Sequence, residues 1–245
     1  MKNTVLVLVL VCALSFALAS TMAAQSVYDE TNAKAAIGLK FSTLGAGIEL
    51  ATPVTHRSNV RFGFNAFSYS RGFDRDNIHY GADVAFRSIE GHYDIFPFDG
   101  GFHLSPGFVA YLASPVTAAS SVPGGQSFTL GGADLVSDPA NPVAGKGKID
   151  FNRAGPSFTV GWGNLLARST KRFTVPFEVG VVYQGAPKTT LNLTGSACDP
   201  SGLNCRTTSD PIIQSHIQAE QRKINNDINF LQVYPIISIG FGFKL

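Results

Sequence analysis

The sequence Phe173-Thr174-Val175-Pro176-Phe177-Glu178-Val179-Gly180-Val181-Val182-Tyr183-Gln184 contains the pattern that decides the fold. All its odd positions are apolar, whereas the even positions include a threonine, a glutamate, a glycine and a glutamine. Successive side chains of a β-strand point to opposite faces of the sheet. The alternation therefore predicts a strand with one apolar face and one polar or small face.

The same alternation recurs along the chain and predicts an all-β, antiparallel, up-and-down barrel. At residues 42–45 the apolar positions change from odd to even, which a turn or a bulge would explain. A turn gives eight strands and a bulge seven, and the even numbers of single-chain bacterial barrels favour eight. A second phase change predicts a bulge near Arg87 and Ser88. The eight predicted strands lie near residues 35–42, 45–53, 59–70, 79–95, 101–113, 155–165, 172–185 and 232–245.

The connections between these strands alternate in length. Residues 56–58, 98–100 and 167–171 form short connections, whereas residues 114–154 and 186–231 form long ones. Transmembrane barrels have short periplasmic turns and long extracellular loops, so this alternation predicts a barrel that spans the outer membrane. The first long loop is expected to be irregular. The second should hold a helix that begins at Asp210-Pro211, with Ile213, Ile217, Ile224 and Ile228 on one stripe. A lid that packs on the barrel rim or on the neighbouring loop is favoured over a partner-binding helix.

The N-terminus has the features of a cleaved signal peptide, with Lys2 followed by a short apolar run and then small residues. The prediction is a signal peptide over residues 1–24 and a single barrel domain over residues 25–245. Export of such a chain makes outer-membrane lipid and lipopolysaccharide its expected surroundings. Loss of Lys2 with the signal peptide lowers the formal net charge from +2 to +1, which argues against a nucleic-acid partner.

Two cysteines remain after the predicted cleavage site, Cys198 and Cys205. In an oxidising compartment they are expected to form a disulfide that closes a small loop. A metal site is the alternative, but no histidine lies nearby in the sequence. The disulfide is therefore favoured, and neither a metal nor a cofactor is expected.

If the apolar faces contact lipid, the opposite faces line the lumen. An eight-stranded barrel is just wide enough for side chains to fill it, and opposite charges inside should pair. One interpretation is a salt-bridged plug that stabilises the barrel. The other is a narrow path in which Glu49, Asp83 and Glu178 favour cationic solutes such as basic amino acids. The predicted lumen residues are Lys40, Glu49, Arg61, Asp83, Arg87, Glu90, His92, Asp94, His103 and Glu178.

Several phrases of the sequence resemble a family of small proteobacterial outer-membrane proteins similar to the ornithine-uptake channel CarO. They are residues 37–50 (IGLKFSTLGAGIEL), 59–65 (NVRFGFN), 161–164 (GWGN), 184–187 (QGAP) and 220–228 (EQRKINNDI), followed by Tyr234-Pro235. The resemblance implies an outer-membrane location and a role in passage of small solutes. It supplies no catalytic residues.

The C-terminus departs from the usual pattern of such proteins. They end on an aromatic residue that the barrel-assembly machinery recognises, whereas this chain ends Phe243-Lys244-Leu245. Phe243 and Leu245 keep the alternation of the last strand. Assembly through the C-terminal strand is therefore still expected.

Three other interpretations compete with a pore-forming or structural barrel. An enzyme is not expected, because no Gly-x-Ser-x-Gly motif occurs and a polar lumen equally explains His92, His103, Ser105 and Asp94. The second is a surface interaction protein that acts through loops 114–154 and 186–231. The third is a soluble periplasmic barrel with its phenylalanines inside, which would place many glycines on a solvated surface.

Overall fold

The computed structural model describes residues 34–75, 78–98, 100–112, 116–166 and 172–245. The predicted signal peptide and the start of the predicted barrel domain at residue 25 lie outside the described residues. In chain order the elements are β1 (Ala36–Ser42), β2 (Gly45–Thr55), β3 (Ser58–Arg75), β4 (Ile78–Ile95), β5 (His103–Tyr111), β6 (Val116–Ser121), β7 (Ser127–Leu130), β8 (Ala133–Ser137), β9 (Ala144–Asp150), β10 (Ala154–Trp162), β11 (Phe173–Thr174), β12 (Phe177–Tyr183), β13 (Lys188–Thr194), β14 (Ser196–Cys198), β15 (Cys205–Thr207), helix α1 (Pro211–Asp227), a 3₁₀ turn (Asn229–Gln232) and β16 (Val233–Lys244).

Eight of these strands close into an antiparallel ring. The order around it is β4, β3, β2, β1, β16, β12, β10 and β5, and pairing of β5 with β4 completes the circle. The barrel class is confirmed, and the ring uses the eight predicted positions. The described residues nevertheless contain sixteen strands rather than about eight, because the long connections form strands of their own.

The break at residues 42–45 is a two-residue turn between β1 and β2. Ser42 pairs with Gly45, and Gly45 has a φ of 118°, which favours glycine. Leu44 at the tip of this turn is fully buried. The turn lies at the same end of the barrel as the long connections, which we call the loop end; the opposite end is the turn end.

The β3–β4 hairpin is much longer than the barrel requires. Its register runs without a break from Ser58 opposite Ile95 to Arg75 opposite Ile78, so the bulge predicted near Arg87 and Ser88 is wrong. Only the Ser88–Ile95 half of β4 pairs with β5. The other half extends beyond the rim and pairs with β6 instead.

The barrel wall continues above the rim on one side. Beyond β4 the strand order is β6, β9 and β13. In the ring below, the strands that follow β4 are β5, β10 and β12. The upper and lower strands correspond one to one, because β6 follows β5 in the chain, β9 precedes β10 and β13 follows β12. We call β6, β9, β13 and the loop-end halves of β3 and β4 the upper wall. The expectation that loop 114–154 is irregular is therefore wrong.

A small domain packs on the inner face of the upper wall, and we call the two together the cap. It consists of a four-stranded sheet, β15-β14-β8-β7, and helix α1. The helix begins where the sequence predicted, since the Asp210 carboxylate accepts a hydrogen bond from the Ile212 backbone N–H at 2.9 Å. That bond, followed by contact with Arg206, holds the pKa of Asp210 below its usual value.

The cap has its own hydrophobic core. Ile213 and Ile217 of α1 are buried in it, as expected for a lid, whereas Ile224 and Ile228 are only partly buried. Among the described residues, no helix has both the length and the apolar character that crossing a membrane requires. The core residues are Ile78, Val122, Leu130, Leu135, Val143, Ala197, Ile213 and Ile217.

Candidate functional site in the barrel interior

The outer surface of the ring is apolar. Leu39, Phe62 and Phe241 point outward and are 53–57 % exposed, and similar side chains surround the barrel. Soluble monomers rarely expose contiguous apolar patches larger than a few hundred Å², about the area of a few such side chains. The soluble barrel with its phenylalanines inside is therefore contradicted.

Aromatic rings collect near the turn end of this surface. Phe102 lies edge-on to Trp162 with ring centres 4.9 Å apart, and Phe173 lies 5.1 Å from Phe243. Phe98 extends the first group, at 5.9 Å from Phe102. Such clusters form the girdles of membrane barrels at the lipid–water interface.

The middle of the interior is a layer of charged side chains. Eight of the ten predicted lumen residues lie there, each at most 3 % exposed. A wide water-filled channel would leave these atoms accessible to solvent. They are Lys40, Glu49, Arg61, Glu90, His92, Asp94, His103 and Glu178.

Lys40 and Arg61 organise this layer. Lys40 Nζ lies 3.0 Å from Glu49 Oε1 and also contacts Glu90. Arg61 Nη1 lies 3.0 Å from Glu49 Oε1, and Nη2 lies 3.1 Å from Asp94 Oδ1. Arg61 Nη2 also pairs with Glu178, which joins β3 to β12 on another part of the ring. The two cations thus connect four carboxylates from three strands, β2, β4 and β12.

The two histidines have different partners. His103 Nδ1 lies 3.1 Å from the Gly101 carbonyl oxygen, and its Nε2 lies 3.0 Å from Glu178 Oε1. Both neighbours are acceptors, so both contacts are satisfied only by the imidazolium form with two N–H groups. His92 Nε2 lies 3.2 Å from Ser157 Oγ. This Ser–His contact is sealed inside the barrel, and nothing in its geometry resembles an exposed nucleophile.

Inward-facing glycines make room for the charged side chains. A Cβ added to Gly107 would lie 2.4 Å from the His92 ring, and one added to Gly63 would lie 2.7 Å from Glu90 Oε1. A Cβ on Gly161 would meet His103 Nε2 at 2.6 Å. Each of these inward-facing glycines therefore lies beside a large polar side chain of a neighbouring strand and leaves the space that this side chain occupies.

An apolar layer closes the interior at the loop end. Leu44 from the β1–β2 turn packs there with ring residues, and Phe86 and Tyr234 pack against them. Phe86 and Glu90 are four residues apart on β4 and therefore lie on the same, inward face. Phe86 was not predicted to point inward, because a bulge was expected between the two residues. The buried members are Leu44, Val109, Tyr111, Val182 and Ile236.

A second cluster closes the turn end. Leu165 and Leu166 fold inward against Ala36 and Ala51, and Asn59 Nδ2 donates to Asn164 Oδ1 at 2.8 Å. The buried Phe96 ring lies 5.4 Å from the His103 ring and links this cluster to the charged layer. Sequence reasoning missed Phe96, Asn164, Leu165 and Leu166, because they lie in connections that lack alternation.

Asp83 and Arg87 were predicted in the lumen, and this was wrong. Both are exposed on the outer side of β4, above the level at which β5 pairs with it. Because β4 has no bulge at Arg87, its odd positions stay outward along the whole strand. Neither residue takes part in the charged layer.

The predicted disulfide between Cys198 and Cys205 is confirmed, and it joins β14 to β15 in the cap. Asp138 lies close to both sulfur atoms. A disulfide offers no thiolate ligands, so this group does not favour a metal ion.

Comparison with known proteins identifies the fold. No protein-family model and no curated protein matches the chain. The crystal structure of Acinetobacter baumannii CarO is similar, with a TM-score of 0.54 and 21 % identity, and the match covers 89 % of this chain and 100 % of that one. The crystal structure of Acinetobacter baumannii CarO2 has a TM-score of 0.54 and 19 % identity, and the match covers 86 % of this chain and 98 % of that one. The predicted resemblance is therefore confirmed at the level of structure, and the chain has a CarO-like β-barrel fold.

Proposed function

We propose that the protein is a porin-like β-barrel of the outer membrane, closed in the present conformation, that admits small cationic solutes when the layers at its two ends open. The observation that carries this proposal is the polarity of the ring, which is apolar outside and charged inside. That arrangement is stable only where hydrocarbon surrounds the barrel. The closed ring also satisfies its backbone hydrogen bonds internally, as a membrane requires.

The charges of the interior support a preference for cations. Four carboxylates, Glu49, Glu90, Asp94 and Glu178, share the layer with only two permanent cations, Lys40 and Arg61. The second carboxylate oxygens of Glu90 and Glu178 have no hydrogen-bond partner among the described residues. Rings of acidic side chains select cations in channels, and basic amino acids are solutes of suitable charge and size.

The apolar layer at the loop end supports the idea of a closed state. A constriction lined by Leu44, Phe86 and Tyr111 repels water and ions, and hydrophobic constrictions gate channels by dewetting. The salt bridges beneath it stabilise the barrel while it is closed. Both interpretations of the charged interior, the stabilising plug and the solute path, thus apply to different states of one barrel.

The first test is folding of the full chain in detergent, followed by heat-dependent gel mobility and current recordings in planar bilayers. The wild type should show heat-modifiable mobility and small, cation-selective currents. The Leu44→Ala/Phe86→Ala variant should conduct for a larger fraction of the time, because the dewetted layer is thinner. Phe62→Ala, on the lipid face, serves as the matched control. Anion preference, or no current from any variant, contradicts the channel proposal.

A second candidate function is surface interaction through loops 114–154 and 186–231. Its support is that these segments form a folded cap with its own core and a disulfide. Leu203 and Phe230 are 82 % and 73 % exposed on it, as apolar anchors for a partner would be. Leu203→Ser/Phe230→Ser should reduce attachment of expressing cells to host or neighbouring cells and leave solute uptake unchanged. Unchanged attachment removes this candidate.

A further inference from the structure

The outer face of the upper wall is a direct upward continuation of the lipid-facing surface. Along β4, Tyr93 and Ile89 point outward within the apolar surface. Arg87, two residues beyond Ile89, is the next outward residue and is exposed. Two residues of a strand span about 7 Å. The outward face therefore changes from apolar to basic within about 7 Å above the apolar surface.

Three lysines continue this face across the upper wall. Lys148 lies opposite Thr117, Lys146 lies opposite Ala119, and Lys188 lies opposite Asp150. All three are exposed, whereas the alternate residues of β9 and β13 point into the cap core. Strand register thus fixes the lysines on the outside at successive heights above the rim.

These basic groups are largely unpaired. Lys148 Nζ pairs with Asp150 Oδ2 at 3.1 Å, but Arg87, Lys146 and Lys188 form no ion pair with any residue in the described ranges. Asp83 is a further acidic residue of this face, and Asp74 of β3 lies there within 2.7 Å of His79. Asp83 borders a depression of about 260 Å³ with Thr117, Lys146, Lys148 and Asn192.

The other side of the cap has the opposite charge balance. Residues 123–143 and 195–228, which form the small sheet and α1, contain six acidic and three basic side chains. The small sheet and α1 are therefore net acidic, whereas Arg87, Lys146, Lys148 and Lys188 lie on the face that continues the membrane-facing surface. The six acidic side chains are Asp134, Asp138, Asp199, Asp210, Glu220 and Asp227.

We propose that the face formed by Arg87, Lys146, Lys148 and Lys188 binds the phosphorylated sugar headgroups of outer-leaflet glycolipids. The inference rests on the proposed outer-membrane location. Headgroup phosphates lie just above the hydrocarbon, at the height of Arg87, and the lysines follow at greater heights, level with Asp83 and beyond. Each exposed cation near an anionic surface adds to attraction. The Thr117 hydroxyl and the Asn192 amide offer hydrogen bonds to sugar hydroxyls. The site is shallow and adjoins the apolar surface, which favours a lipid headgroup over free phosphate.

The test uses the full chain folded in detergent, with three probes: lipid A with its phosphates, dephosphorylated lipid A, and inorganic phosphate. Native mass spectrometry measures the bound fraction. Lipid A should bind at least about tenfold more tightly to the wild type than to the R87Q/K146Q/K148Q/K188Q variant. Arg222→Gln/Lys223→Gln on α1 removes basic charge elsewhere on the cap and should bind lipid A like the wild type.

Three results would overturn the inference: equal binding of the phosphorylated and dephosphorylated lipids, an equal loss in the α1 control, or displacement of lipid A by inorganic phosphate at comparable concentration. Heat-modifiable mobility and insertion into vesicles, measured on the same samples, separate the two proposals. A barrel that inserts normally but ignores the phosphates contradicts only the headgroup site. A chain that does not insert contradicts the outer-membrane location as well.

Discussion

The barrel and the cap have opposite polarity, although the same strands build both. In the barrel half of β4, Glu90 and His92 point inward and Ile89 points outward, whereas in the cap half Phe86 points inward and Arg87 outward. Backbone register does not change between them. The comparison shows that one strand carries two inverted patterns, and in the proposed membrane location the inversion marks the level of the lipid–water interface.

The largest expected effect concerns the charged barrel interior. Arg61→Met leaves the carboxylates of Glu49, Asp94 and Glu178 without their main cation and should lower the free energy of unfolding by about 4 kcal/mol. Denaturant titration of the full chain in lipid vesicles measures it. Arg206→Met, which breaks the exposed pair with Asp210 in the cap, should cost less than about 1 kcal/mol. Similar losses for the two variants would contradict the importance of the buried layer.

The second test compares one substitution on the outer faces of the two regions. Leu39→Arg places a charge near the middle of the apolar surface and should cost about 3 kcal/mol, because the guanidinium must leave water. Ser121→Arg, on the exposed outer face of the upper wall, should leave the unfolding free energy almost unchanged. Vesicle insertion and denaturant titration measure both. Equal tolerance of the two arginines would mean that lipid does not surround the ring.

The third test concerns the cap core. Ile217→Ala creates a cavity beneath the upper wall and should destabilise the cap by about 3 kcal/mol. Limited proteolysis should then cleave the cap faster while the heat-modifiable mobility of the barrel persists. Ile212→Ala, at an exposed position of the same helix, is the control. Loss of both properties together would show that barrel and cap unfold as one unit.

The smallest effect separates inward from outward glycines. A Cβ at Gly107 would meet the Gly91 carbonyl oxygen and the His92 ring, whereas one at Gly81 in the upper wall meets nothing within 4 Å. Gly107→Ala should therefore cost about 2 kcal/mol, and Gly81→Ala should be neutral or slightly stabilising. Thermal unfolding in detergent ranks the two. A neutral Gly107→Ala would indicate that the interior is loosely packed.

Most of the ring could be predicted from alternation, and the reason for each failure is physical. The turn at residues 42–45 followed from the change of parity, and the disulfide followed from the two cysteines. At Arg87 a similar change of hydrophobic phase arises because the surroundings invert, and periodicity alone cannot distinguish that from a bulge. Asp83 and Arg87 were misplaced for this reason. β6 was missed because Ala and Ser fill four of its six positions and give little contrast between its faces. β9 was missed because two of the three residues on its inward face are glycines, so the strand has no apolar alternation.

The ion pair between Arg61 and Glu178 also constrains the order of assembly. Arg61 belongs to the N-terminal part of the ring and Glu178 to β12, 117 residues later, and they meet only when distant strands have been joined. In an incomplete sheet both groups would face the bilayer as lone charges, an arrangement that hydrocarbon strongly disfavours. In the proposed membrane location, partly assembled sheets would thereby stay at the aqueous boundary, and full entry into the membrane would be coupled to closure of the circle.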